Sequence, residues 1–325
     1  MRSMVARALA LLCLLGLAAC MGSPDVVGSA GREPGWSERE GPARGPSSGS
    51  SSGSETGAPG VVAATKPYEG LGTWIDIYDT EVWEHPVHEV ESMAAHGIRT
   101  IYLQTSNYNR NRPFVHPDGV EAIVDAAHRR GIEVVAWYLP GFRDLTTDLH
   151  RAVRTIGFET RRGNRFDSFA LDIESPEVRR PSLRTARLLR LSAAIRRTAG
   201  TGYPLGAIVA SPRRMRSDPS YWPGFPWRSL GRMYDVFLPM TYYTYRVSGR
   251  DGAAWYTAKN VLIIRQETEG MQIPIHVIGG ISFDASGPET RGFVDTVRAR
   301  DVIGASYYTF PGITVDQWKA LSALR

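Results

Sequence analysis

The chain has 325 residues, 42% of them hydrophobic and 10% aromatic, with a net charge of +5 and two cysteines. That content excludes a wholly disordered chain, and two cysteines exclude a small disulfide-stapled scaffold. Thirty-five of the 38 basic residues are Arg, spread with no basic stripe interleaved with aromatics, so nucleic acid is not an expected partner.

Arg2 and Arg7 flank a positive start, and Ala8 to Leu17 is an uncharged apolar run. The run is too short to span a membrane, and the pattern is that of a secretory signal over residues 1–19. Residues 20–65 follow as a linker. Its last 45 residues hold nine Ser, ten Gly and five Pro and carry a net charge of −2. Such a stretch cannot bury enough apolar surface to offset its ordering entropy. It is expected to be a flexible tether with a reach of about 35–40 Å.

Residues 66–325 alternate strand and helix patterns throughout, and their length is close to that of a (β/α)8 TIM barrel. Eight strands are predicted, at 72–78, 98–104, 132–138, 168–174, 205–209, 236–240, 275–278 and 302–308. Val120, Ile123, Val124 and Ala127 repeat at helical spacing between strands two and three. Other helices are expected at 87–95, 145–156, from Pro181 to Gly200, 253–269, around Phe293 and at 315–324. The Pro- and Arg-rich stretch 211–232 is expected to be a long loop. No glycine-rich phosphate loop follows strand one, which disfavours an open nucleotide-binding sheet.

In a barrel of this kind the site lies at the C-terminal strand ends. Those ends read Trp74 to Asp79, Gln104 to Asn107, Trp137-Tyr138, Asp172-Ile173-Glu174, Met240 to Tyr243 and Tyr307 to Phe310. Acids, amides and aromatics together suit a sugar, which offers ring faces to aromatics and hydroxyls to polar groups. Asp172 and Glu174 are two apart on a strand and so share one face. Two such carboxylates in a desolvated mouth repel, and one holds a proton near neutral pH for use as a general acid. The sequence equally allows them to form a structural cluster with an Arg. Asp76, Gln104, Trp137, Tyr138, Tyr243 and Tyr307 are the candidate substrate contacts. His85 and His88 flank Pro86 in a loop pattern, so no metal is expected, and no cofactor motif occurs. His276 reads as a core histidine. Trp222 and Trp227 fit either sugar platforms or loop anchors.

Two resemblances sharpen these readings. Leu17-Ala18-Ala19-Cys20 resembles the lipobox of bacterial lipoproteins, which implies cleavage before Cys20 and a lipid anchor on its thiol at the outer face of the cell membrane. Phe166 to Glu174 resembles the strand-four signature Asp-Gly-x-Asp-x-Asp-x-Glu of family 18 glycoside hydrolases, with Asp167, Asp172 and Glu174 in register. Met240-Thr241-Tyr242 is similar to that family's strand-six Met-x-Tyr-Asp. The resemblance implies a retaining glycosidase acting on an N-acetylhexosamine glycan. Glu174 would protonate the leaving oxygen, Asp172 would orient the substrate's acetamido group as nucleophile, and Tyr242 would hydrogen-bond it. Ala170, Ser168 and Tyr243 depart from the signatures, and strand three lacks the family's Ser-x-Gly-Gly. Two alternatives therefore stand: a non-catalytic carbohydrate-binding protein on a degenerate hydrolase barrel, and a two-carboxylate glycosidase using Asp76; in each case the chain is expected to be a monomer.

Overall fold

The computed structural model describes residues 65–325. The signal segment, Cys20 and the tether expected before residue 65 lie outside the described residues. Eight strands run β1 Gly70–Ile75, β2 Thr100–Asn107, β3 Glu133–Leu139, β4 Ser168–Ile173, β5 Leu205–Val209, β6 Val236–Pro239, β7 His276–Ile281 and β8 Gly304–Tyr308. All ladder pairings are parallel, in the order β6-β5-β4-β3-β2-β1-β8-β7. Two isolated parallel bridges, Phe237 to Ile275 and Met240 to Ile278, join β6 to β7 and close the ring. The expected (β/α)8 barrel is the fold.

The helices form the outer layer. They are α1 Thr80–Glu84, α2 Pro86–Ala95, α3 Pro117–Arg129, α4 Leu145–Ile156, α5 Pro181–Ala199, α6 Pro212–Ser217, α7 Trp227–Leu230, α8 Gly249–Glu267, α9 Gly287–Ala299 and α10 Val315–Leu321. Proline opens α2, α3, α5 and α6, where its missing N–H costs nothing. Asp144 caps α4 by accepting from Thr146 N at 3.0 Å and Thr147 N at 3.2 Å. Ser286 and Glu289 close a capping box on α9.

Several predicted bounds are corrected by side chains that capture backbone groups. β1 stops at Ile75, not Tyr78, because Asp76 accepts from Tyr78 N at 2.6 Å and Asp79 accepts from Asp76 N at 2.8 Å. Those bonds turn the chain off the ladder. β7 runs on to Ile281 through Gly279 and Gly280. A Cβ at Gly279 would lie 2.8 Å from the Tyr307 ring, and one at Gly280 would lie 2.8 Å from Tyr243. Packing therefore selects glycine inside a strand that periodicity cannot see. The stretch 211–232 holds the short helices α6 and α7. Trp222 and Trp227 are both loop anchors. Trp222 donates Nε1 to Thr185 on α5 at 2.9 Å, and the Trp227 ring packs edge-on to Phe237 of β6.

The barrel floor is closed by Tyr68, which precedes β1. Its hydroxyl lies 2.5 Å from Ser168 Oγ. Fully buried His276 donates Nδ1–H to Tyr68 O at 2.7 Å. Burial holds that imidazole neutral, with its pKa down at about 4. Above the floor Trp74 stacks on Tyr102 at 4.3 Å, and Trp137 meets Trp74 edge-on at 5.7 Å. These three fill the interior below the mouth.

On the outside, α8 and α9 touch through Gly292, where a Cβ would sit 2.0 Å from Arg250 O. That contact is with backbone, so no rotamer relieves it. Gly292→Ala is expected to destabilise the barrel by about 1–3 kcal/mol through overpacking. Urea denaturation of the two chains checks this, and equal midpoints would refute it.

Candidate active site

Glu174 is the first residue beyond β4, and Asp172 is its last inward-facing one. Asp172 is 5% exposed, and its Oδ1 is buried without a hydrogen-bond partner. Glu174 is partly exposed at the mouth. Its backbone carbonyl is held by Tyr221 Oη at 3.0 Å, so the long loop after β5 fixes its position. Burial raises the Glu174 carboxyl to about 7. Asp172 is also raised well above the usual carboxylate range, by its own burial and then by the charge of Glu174. The pair therefore shares a proton at neutral pH, and the partly exposed member can hand one to a ligand.

Tyr242 stands over this pair. Burial raises its phenol first, and Glu174, Asp172 and Asp76 add to the effect in that order. Asp76 is buried. Burial raises it, and hydrogen bonds from Tyr78 N and Tyr308 Oη oppose the rise. Tyr308 donates to Asp76 Oδ2 at 2.9 Å and lies 5.9 Å from the Tyr242 ring. Trp137 faces the interior, with Nε1 buried and unpartnered. Gln104 is buried too, and its Oε1 holds Ile77 N at 3.0 Å, fixing the loop after β1.

The structure therefore brings together Glu174, Asp172, Tyr242, Asp76, Trp137 and Gln104. It does not bring Tyr138, Tyr243 or Tyr307 to the mouth. Tyr138 donates to Asp148 on α4 at 2.6 Å. The Tyr243 and Tyr307 hydroxyls pair at 2.5 Å, and Tyr307 also meets Thr290 on α9 at 2.9 Å. These three face the helix layer, and their expectation as substrate contacts is corrected. Each belongs to a doublet in which the neighbour faces inward, because strand side chains alternate. Trp137, Tyr242 and Tyr308 are the inward members. Asp167 also moves. It accepts from His128 Nε2 at 2.9 Å and Val134 N at 2.7 Å, one residue before β4 begins, so it lies at the floor end.

Four groups at the mouth were not chosen from the sequence: Tyr308, Tyr108, Tyr78 and Arg110. Alternation along β8 was the available signal for Tyr308. Tyr108 packs on Gly141 in the loop after β3, where a Cβ would lie 2.9 Å from Tyr108 Cβ, and burial raises its phenol, with Glu177 and Glu174 adding to the rise. The signal for it was the prolongation of β2 to Asn107, past the predicted end at Gln104. Among the described residues no group of three or more His, Cys, Asp or Glu gathers as a metal site.

A parallel eight-stranded barrel with carboxylates, a phenol and aromatics at its C-terminal mouth defines the architectural class. No protein-family model matches the chain, and no curated protein does. Solved structures do. The chain is similar to a family GH18 chitinase from Cycas revoluta in complex with allosamidin, at 13% identity and a TM-score of 0.56, covering 78% of this chain and 98% of that one. It is similar to the GH5_18 protein of Streptomyces cattleya in complex with Manβ1-4GlcNAc, at 13% identity and 0.58, covering 78% and 79%. It is also similar to the spore cortex-lytic enzyme SleL of Bacillus cereus, at 11% identity and 0.57, covering 80% and 75%. At these identities the likeness is one of fold.

Proposed function

We propose that this barrel is a glycoside hydrolase acting on a glycan that contains N-acetylhexosamine. One observation carries the reading: Asp172, with an unpartnered buried oxygen, and Glu174, raised by burial to about 7, stand together at the end of β4. Ala170 stands where the family 18 signature has its middle Asp, so no carboxyl from that position engages Asp172. Its free Oδ1 is available to an acetamido N–H.

The chemistry follows from these positions. Glu174 gives its proton to the glycosidic oxygen as the bond to the anomeric carbon breaks. The acetamido oxygen, oriented by Asp172 and Tyr242, bonds to that carbon and spreads the charge. Water then attacks the same carbon, the bond from that carbon to the acetamido oxygen breaks and restores the acetamido group, and the Glu174 carboxylate takes the water's proton. Net retention results. The two-carboxylate scheme has less support, because Asp76 is already bonded to Tyr78 N and Tyr308 Oη. The solved neighbours include a chitinase and a protein holding the disaccharide Manβ1-4GlcNAc, which supports this substrate class. The lipobox-like segment ending at Cys20 supports a second proposal, that the barrel works tethered outside the bacterial cell membrane.

The test is to incubate the chain with N-acetylated glycan oligomers and with peptidoglycan, and to count new reducing ends against pH. The acid form of Glu174 is required. Activity is therefore expected to be full below about pH 7 and to fall about ten-fold per unit above it. Glycan binding without new reducing ends at any pH would favour the non-catalytic reading. An alkaline limit well away from 7 would remove Glu174 from the acid role.

A further inference from the structure

The loop after β2 is pinned from below by buried Arg151. Its Nη1 donates to Asn107 O at 3.2 Å, and its Nη2 donates to Arg110 O. Ser106 Oγ donates to Arg112 O at 2.6 Å, and Arg110 N donates to Asn107 O at 3.1 Å. The Arg110 backbone is thus fixed at both its polar groups.

The Arg110 side chain is not matched in the same way. Its Cζ lies 5.1 Å over the Tyr78 ring. Its Nε is buried without a partner, and among the described residues no carboxylate pairs with it. Beside it Asn107 donates Nδ2 to Tyr78 Oη at 3.3 Å, while Asn107 Oδ1 is buried and unpartnered. A buried N–H left unmet costs free energy. Elsewhere in this chain Arg143, Arg196, Arg214 and Arg250 all meet carboxylates.

The place of this guanidinium gives it a use. Tyr78 lies in the loop after β1, at the mouth. Tyr108, two residues before Arg110, packs on Gly141 in the loop after β3, where a Cβ would lie 2.9 Å from Tyr108 Cβ. Tyr78 N donates to Asp76 Oδ1 at 2.6 Å, and Asp76 Oδ2 accepts from Tyr308 at 2.9 Å, so the Tyr78 loop borders the same mouth. Arg110 therefore stands on the rim of the cleft that holds Glu174, backed by an aromatic ring. A planar guanidinium so placed matches a carboxylate through paired N–H donors.

We propose that Arg110 reads a carboxylate on the glycan, so the substrate is an acidic glycan whose sugars near the scissile bond carry that group. This rests on the glycan reading above and narrows it. Asn107 Oδ1 then accepts from a neighbouring sugar hydroxyl or amide.

The experiment measures equilibrium binding by calorimetry, on the full chain in detergent carrying Glu174→Gln so that nothing is consumed. One probe is a set of N-acetylglucosamine oligomers bearing 3-O-lactyl carboxylates on alternate sugars. The other is the same set with the carboxyls reduced to alcohols. The carboxylate oligomers are expected to bind at least about ten-fold more tightly, the worth of one charge-assisted pair. Arg110→Gln should erase most of that ratio, and Arg110→Lys should keep part of it. Equal affinities of the two probes, no binding of either, or an equal loss on both in Arg110→Gln would overturn the proposal. Turnover by the unsubstituted chain is read separately. Discrimination without cleavage would end the glycosidase reading and leave Arg110 its role.

Discussion

Glu174→Gln is expected to lower kcat/KM on N-acetylated glycan oligomers by about 10²–10⁴-fold, the usual contribution of a positioned general acid. Glutamine keeps the shape and loses the transferable proton. Glycan affinity should therefore change little, because the aromatic floor and Tyr242 remain. Stability should not fall either. Asp172 is raised partly by the charge of Glu174, so a neutral neighbour relieves repulsion within the pair. Reducing-end assays, calorimetry and thermal melts on the same preparation separate the three effects. A structural role for Glu174 would lower the melting temperature instead. Asp76→Asn serves as the companion. A comparable loss there would restore the two-carboxylate scheme, whereas a loss of affinity with kcat little changed fits its hold on Tyr308.

Asp148→Ala is expected to cost about 3–5 kcal/mol of folding stability, as for removal of one member of a buried charge pair. Asp148 is 3% exposed and Arg151 6%. They are linked through Tyr138, which accepts from Arg151 Nη1 at 2.9 Å and donates to Asp148 Oδ1 at 2.6 Å. Asp148 Oδ2 also holds Phe142 N at 2.9 Å, in the loop after β3. Without the carboxylate, Arg151 keeps its charge and loses its counter-charge. The loops after β2 and β3, both at the mouth, lose their common anchor. Tyr138→Phe removes only the bridging hydroxyl and should cost about 1–3 kcal/mol. Urea midpoints check the ranking, and a cost for Asp148→Ala under that of Tyr138→Phe would refute it.

The barrel was legible because its strands and helices obey different periods, and each crossover is short enough to leave one topology. β5 and α4 fall where the pattern puts them. Asp172 and Glu174 were legible because two residues of strand spacing fix a shared face whatever surrounds them. What periodicity lacks is phase where two aromatics sit side by side. Tyr307-Tyr308, Tyr242-Tyr243 and Trp137-Tyr138 each offer two rings of equal hydrophobicity. Only the partner of each hydroxyl tells the inward ring from the outward one, and those partners, Asp148, Thr290 and Asp76, are far away in sequence or on another element.

The two bridges between β6 and β7 have a mechanical consequence. Every other neighbouring pair of strands shares a ladder of four or more registered residues, whereas here two isolated contacts close the circle. A hoop opens at its thinnest join. Tyr242 hangs directly above this one, and Thr241 N–H donates across it to Ile278 O at 2.9 Å. Widening the ring at that join would shift the phenol relative to the acid pair while leaving β1 through β5 rigid. The fold thereby sets its thinnest join beneath Tyr242 and its continuous ladders beneath Asp172 and Glu174.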